Sequence, residues 1–241
     1  MKSNQELPQQ TVQQIRENIE RIRENIALAA EKSGRSPGDI RLMAVTKTVA
    51  PALINIALGE NIDLIGENKV QELESKLEFF VPQDIEKHII GHLQTNKVKQ
   101  ILPHISMIQS VDSIRLAEEI SKQSGKIGKN TDILIEINIG REDSKTGFLP
   151  EEVNENLFRI AEMSNITVRG MMAVPPICES EKEIRKYFSE IRKIYIDNRA
   201  KMLDNSMDVL SLGMTGDYVP AIEEGSTLVR VGSGIFGLRR Y

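Results

Sequence analysis

The sequence has no tryptophan, a single cysteine (Cys178) and an aromatic content of only 4%. One thiol cannot form an internal disulfide, which points to a reducing compartment rather than a disulfide-stapled secreted fold. So few aromatic rings argue against surfaces that work by stacking on bases or sugars. Charge of one sign is not in excess either: 31 basic and 35 acidic residues are interspersed, for a net charge of −4. That balance gives no electrostatic case for nucleic acid or an anionic membrane as a partner. No apolar run approaches the roughly 18 residues that a membrane span needs. The opening MKSNQELPQQ is polar and lacks the apolar core of a secretory signal. These absences lead to the expectation of a soluble, cytoplasmic protein.

What is present is a regular alternation. Hydrophobic residues make up 40% of the 241-residue chain, enough for a sizeable core in one domain spanning 1–241. Isoleucines 15, 19, 22 and 26, followed by Ala29 and Ala30, mark an amphipathic helix that Gly34 stops. Eight apolar segments follow, at 41–47, 62–67, 87–92, 105–111, 132–139, 167–174, 208–214 and 227–232. Helical segments such as SIRLAEEISKQSG and EEVNENLFRIAEMS lie between them. Strands that alternate with helices imply parallel β-α units, and eight of them fit a closed (β/α)8 (TIM) barrel with an extra N-terminal helix. Strands that are apolar almost throughout suit a sheet buried on both faces. No GxGxxG follows the first strand, which disfavours an open dinucleotide-binding sheet.

Barrel active sites lie at the C-terminal strand ends, and here most of those ends are polar. The first strand ends in Lys47, the second in Glu67 and Asn68, the third in His92. A lysine at a barrel mouth is partly desolvated, which lowers its pKa and frees the amine to attack a carbonyl. The plainer alternative is a strand-end lysine reaching to water. Lys69, Lys97 and Lys145 are competing amines on the same rim, each after a turn. The loops after strands seven and eight read LSLGMTGDYVPAIEEG and VRVGSGIFG. Glycines there would let backbone N–H groups approach an anion, and Thr215 and Ser233 add hydroxyls. The alternative is that these glycines only close tight turns. Arg230 lies inside strand eight, where an arginine is costly without a partner. That partner is either a ligand atom such as a pyridine nitrogen or an internal carboxylate, Glu67 or Glu136. His88, His92, His104 and Cys178 have no metal-ligand spacing, so no metal is expected.

The segments MAVTKTVAP, LIGENKVQE, IIGHLQTNKVK, INIGREDSKTGF, MMAVPP and LSLGMTGDYVPAIEEGSTLVRVGSGIFGLRRY resemble, in order, the YggS/PROSC family of pyridoxal 5′-phosphate (PLP) homeostasis proteins. The last of these segments is the most specific. The family is itself similar to the N-terminal barrel of alanine racemase. The resemblance implies PLP as cofactor, held as a Schiff base on Lys47, with Arg230 near the pyridine nitrogen and Asn68 near the ring. It implies a phosphate cup from the backbone around Met214 and Thr215 with Gly232 and Ser233. Thr215 stands where the family usually has Ser, and Ser233 where it often has Thr. Gly216 replaces an acidic residue, Lys69 a common Tyr, and His92 a common Pro. The implied role is non-catalytic, a monomer that keeps free PLP low and passes it transiently to apo PLP-dependent enzymes. The alternatives are a PLP-dependent amino-acid racemase and, on the same barrel, a phosphate-ester enzyme. Racemases of this type take a second acid–base tyrosine from a C-terminal β-domain; with the eighth unit ending only a few residues before Tyr241, that domain is not expected here. Of Tyr187, Tyr195, Tyr218 and Tyr241, only Tyr218 falls on the active rim, and it is expected to pack beside the phosphate cup.

Overall fold

A computed structural model describes residues 7–202 and 207–237. Tyr241, the last of the four tyrosines, lies outside the described residues. Eight parallel strands close into one barrel in chain order: β1 (Arg41–Val45), β2 (Leu64–Glu67), β3 (Glu86–Ile89), β4 (Met107–Val111), β5 (Thr131–Ile137), β6 (Ile166–Ala173), β7 (Val209–Ser211) and β8 (Leu228–Val231). The seam is a β8–β1 ladder running from Arg41–Leu228 to Ala44–Val231. The helices are α1 (Gln9–Lys32), α2 (Pro51–Gly59), α3 (Val70–Glu74), α4 (Thr95–Ile101), α5 (Ile114–Lys126), α6 (Val153–Ala161), α7 (Glu181–Arg199), α8 (Tyr218–Glu223) and α9 (Ser233–Phe236). The expected fold is therefore the observed one. No helix among the described residues is long and apolar enough to cross a membrane.

Strand alternation explains the layers. One set of strand residues, including Ala44, Ile65, Ile89, Ile133, Ile135 and Val229, packs outward under the helices in the main core. The other set points inward and fills the barrel with two apolar clusters, Met43–Leu64–Leu228 and Met107–Leu134–Met172. Above and between these clusters the interior is polar: His88, Gln109, Ser211 and Arg230 are all buried. Helix α1 buries the expected stripe of Ile15, Ile19, Ile22 and Ile26. It braces the outside of the last two β-α units. Asn18 donates to the Ile235 carbonyl at 2.9 Å, Asn25 to the Tyr218 hydroxyl at 2.9 Å, and Arg35 to the Ser226 carbonyl at 2.8 Å.

The strands are shorter at their C-terminal ends than their apolar runs suggest. Lys47 lies two residues past β1 in a turn, and His92 three residues past β3. One cross-strand bond continues past each of these strand ends, Thr46 N–H to the Gly66 carbonyl at 3.0 Å and Ile90 N–H to the Glu67 carbonyl at 2.9 Å, before the chain turns away. The segment KVQELESKLEFF is also broken, into α3 and a 3-10 turn at Leu77–Phe79.

Candidate functional site

A cavity of about 380 Å3 opens at the C-terminal end of the barrel. Its lining includes all seven residues expected at a cofactor site: Lys47, Asn68, Met214, Thr215, Arg230, Gly232 and Ser233. They come from the ends of β1, β2, β7 and β8, which close the seam of the barrel. Val45, Ile90, Val174 and Gly216 complete the lining. Val45, Ile90 and Val174 carried no sequence signal, because apolar residues at strand ends look like core, whereas Gly216 belongs to the glycine loop already singled out.

The Lys47 turn is held by a buried ionic clamp. Thr48 adopts φ 63°, a left-handed conformation uncommon for a β-branched residue. Its N–H donates to the Glu72 carboxylate. On the other side of Lys47, the Thr46 carbonyl accepts from Lys76 Nζ at 2.8 Å, and Thr46 Oγ1 donates to Glu67 Oε1 at 2.9 Å. Lys76 joins both acids, at 2.6 Å to Glu67 and 2.7 Å to Glu72. Glu67 is fully enclosed and its Oε2 has no hydrogen-bond partner. Burial pushes its carboxyl above the ordinary range. Lys47 itself is half-buried. None of the competing amines lines the cavity: Lys69 and Lys145 are exposed, and Lys97 sits within α4 rather than after a turn. Asn68 is seated by close backbone contact. A Cβ at Gly91 would lie 2.6 Å from the Asn68 carbonyl oxygen, so only glycine fits there.

The two glycine loops meet at Thr215. Its Oγ1 accepts from the Gly234 N–H at 3.1 Å and from Ser233 Oγ at 3.3 Å, which ties the β7–α8 loop to the start of α9. Gly213 turns the first loop at φ +88°, with its Cα packed under Ala221 and Tyr218. The Met214 N–H is committed to Asp217 Oδ1 at 2.5 Å, so it caps its own turn instead of facing the cavity.

Arg230 makes neither of the ion pairs considered for it. Glu67 is taken by Lys76, and Glu136 Oε2 accepts from Thr146 at 3.2 Å. The Arg230 guanidinium instead donates to the Ser211 carbonyl at 2.6 Å, Ser211 Oγ at 2.7 Å and the Ala173 carbonyl at 2.9 Å. Burial lowers its pKa to about 10, so it remains a cation at neutral pH. His92 pairs with Asp112 at 2.7 Å and does not line the cavity. Cys178 lines a neighbouring hollow that shares Met214 and Gly216 with the cavity, its Sγ bonded to the Pro176 carbonyl at 3.3 Å and its thiol pushed up by burial. Tyr218 is buried, outside the lining, with its hydroxyl held by Asn25.

The site thus offers one amine, one buried guanidinium, two hydroxyls on glycine-rich loops and apolar walls. That set suits a small, flat, anionic aldehyde. Residues 18–240 match the family described as alanine racemase, N-terminal domain. The chain is 38% identical to the pyridoxal phosphate homeostasis protein of Aquifex aeolicus over 225 residues, covering 93% of this chain and 98% of that one. The protein of the same name from Escherichia coli K12 is 35% identical over 230 residues, at 94% and 97% coverage. Among solved structures, PipY of Synechococcus elongatus with PLP bound is 28% identical, with a TM-score of 0.81 over 93% of this chain and all (100%) of that one. An alanine racemase of Clostridium difficile, 16% identical, shares the fold at a TM-score of 0.74, and this chain covers 58% of it.

Proposed function

The chain belongs to the alanine racemase N-terminal domain family, and from that premise we propose that it binds PLP in the service of PLP homeostasis, without turning over a substrate. The carrying observation is that Lys47, Asn68, Arg230 and the two hydroxyl-bearing glycine loops line one cavity. A volume of about 380 Å3 falls in the range of small-ligand sites, roughly 300–1,000 Å3. The names of the relatives and the PLP in PipY support the same ligand.

Each group has a role in this reading. Lys47 Nζ bonds to the aldehyde carbon of PLP as a Schiff base, with loss of one water. Val45, Ile90 and Val174 shield the ring. Arg230 faces the pyridine nitrogen. A permanent cation there disfavours a second positive charge, so the ring stays unprotonated. The Thr215 and Ser233 hydroxyls, with backbone at Thr215 and Gly232, receive the phosphate, and the Met214 N–H, held by Asp217, does not take part. Bound PLP supplies a reactive aldehyde and an electron-withdrawing ring, and an unprotonated ring is a poor electron sink. That suits storage more than carbanion chemistry. Val174 and Met214 are exposed at 38% and 41% on the cavity edge, which leaves a way out for PLP towards an apo-enzyme.

The test is an absorption spectrum of the purified, PLP-treated protein before and after borohydride, followed by peptide mapping. The expected result is an imine band and a pyridoxyl group fixed on the peptide that contains Lys47. An imine band that persists in Lys47→Ala, with the label on another lysine, would overturn the assignment.

A further inference from the structure

The guanidinium in the cavity is one end of a hydrogen-bonded chain that crosses the barrel interior. Arg230 Nη1 donates to Ser211 Oγ at 2.7 Å, and Ser211 Oγ donates to Gln109 Oε1 at 2.8 Å. Gln109 Nε2 lies 2.9 Å from His88 Nδ1, and His88 Nε2 lies 2.9 Å from Glu86 Oε1. The other Glu86 oxygen accepts from Arg41 at 2.6 Å on the opposite rim. Ser211 is on β7 and Gln109 on β4, so their bond spans the lumen between strands that are not neighbours. Ser211, Gln109 and His88 are fully enclosed.

The two ends dictate the direction of every bond between them. A guanidinium has only donors and a carboxylate only acceptors. Ser211 Oγ accepts from Arg230, so its one proton goes to Gln109 Oε1. The Gln109 amide N–H then faces His88 Nδ1, which must accept. The His88 proton is therefore on Nε2, donated to Glu86, and the imidazole is neutral. Burial, which lowers the His88 pKa, acts in the same sense. Reversing any one bond sets two donors or two acceptors face to face in a dry interior, a costly arrangement.

Packing alone does not call for this chain. The neighbouring interior is filled by methionine and leucine, and apolar residues would occupy the same space without desolvating an amide, an imidazole and a hydroxyl. Arg230 also donates to two backbone carbonyls, one from each terminal nitrogen, and the Ser211 hydroxyl takes a further bond from Nη1, so the orientation of the guanidinium is completed by the side-chain network. We propose that Gln109, acting with Ser211 and His88, is a positioning residue that locks the Arg230 guanidinium in one orientation toward the cavity. Its consequence for the cofactor rests on the PLP reading above, whereas the lock itself can be tested without PLP.

The test compares the unmodified chain with Gln109→Leu, Gln109→Glu and Ser211→Ala, so that one variant that fails to fold does not decide the result. Without cofactor, nitrogen-resolved NMR should find His88 with a bare Nδ1 and a protonated Nε2 in the unmodified protein. In Gln109→Glu the isosteric carboxylate should draw a second proton onto His88. In Gln109→Leu and Ser211→Ala the Arg230 side-chain N–H protons should exchange with solvent about tenfold faster or more. With PLP, the dissociation constant should rise about tenfold in Gln109→Leu, the loss expected when one bond to a charged group is weakened. The imine absorption of Gln109→Glu should shift in position and pH profile, a change that barrel filling would not cause. Unchanged exchange and unchanged PLP binding in all three variants overturn the proposal, as does a His88 proton on Nδ1. If the unmodified chain takes up no PLP, the functional reading fails, and the exchange rates alone then decide the lock.

Discussion

Each residue of the cavity does its work through the atoms that hold it, and Thr215 and Ser233 show this. Both are hydroxyls on the proposed phosphate loops, yet their settings differ. Thr215 Oγ1 is the joint between the two loops, accepting from the Gly234 N–H, whereas Ser233 is exposed and makes one long 3.3 Å bond. Thr215→Val keeps the shape and deletes the joint. A bond to a charged group is worth about 1.5–3 kcal/mol, so PLP binding should weaken by roughly tenfold or more in Thr215→Val. Ser233→Ala should cost less. Spectrophotometric titration with pyridoxal, which lacks the phosphate, supplies the control. If Thr215→Val loses as much affinity for pyridoxal as for PLP, the hydroxyl does not serve the phosphate. At this scale the sequence was readable where a residue type was out of place: a lysine at a strand end, an arginine inside a strand, glycines paired with hydroxyls. Gln109 was silent, because its meaning comes from Ser211, 102 positions away across the barrel. Lys76 was silent for a similar reason, since an amphipathic segment gave no sign that its amine turns inward.

At the level of elements, the β1–α2 and β2–α3 connections form one unit around Lys76. Its amine bridges Glu67 at the end of β2, Glu72 in α3 and the Thr46 carbonyl beside Lys47. Removing one partner of a buried pair typically costs about 3–5 kcal/mol, because the other charge is left uncompensated. Lys76→Met should therefore lower the urea midpoint strongly. Adding Glu67→Gln should restore much of the loss, since the orphaned carboxylate is then gone. Both variants should also slow PLP attachment at Lys47, because Thr46 and Thr48 lose their fastenings. A Lys76→Met protein of unchanged midpoint would mean that the clamp carries no stability. The alternation of apolar and amphipathic segments was enough to count eight units and to place the mouth. It could not give the strand ends, because a rim residue past the ladder and a paired strand residue follow the same apolar run in the sequence.

The barrel as a whole separates two rims with different tasks. The N-terminal rim is fastened by ion pairs: Arg41 with Glu86 at 2.6 Å, and Arg169 with Asp132 at 2.8 Å and Asp208 at 2.5 Å. Glu86 is held at a pKa of about 2, first by the His88 N–H and then, against its partial burial, by Arg41. Its folded pKa is depressed, so its contribution is complete above the unfolded value near 4.5 and fades as pH falls toward about 2. Acid unfolding followed by circular dichroism should show a loss of stability in that window that is blunted in Glu86→Gln. An unaltered acid profile in that variant would remove Glu86 from the account.

On the proposed reading, the C-terminal rim decides whether the molecule stores PLP or uses it. Racemisation needs an acid and a base on opposite faces of the substrate carbon. Lys47 can serve one face, so the question is what faces it. Among the described tyrosines, Tyr195 donates its hydroxyl to the Met207 carbonyl at 3.0 Å outside the barrel. Tyr187 packs partly buried on α7, against the main core. Tyr218 opens α8 just after the β7 loop, but its hydroxyl is held by Asn25 of α1. The His92–Asp112 pair lies on the rim without lining the cavity. No described tyrosine lines the cavity, and its edge is open at Val174 and Met214. PLP-loaded protein incubated with L-alanine in deuterated water should therefore show no sustained α-deuteration and no D-alanine. Transfer of PLP to an apo-enzyme should proceed from the same preparation. Turnover that is lost in Tyr218→Phe or in His92→Gln would make this barrel a racemase by itself, and would identify which of the two side chains moves in to supply the second proton.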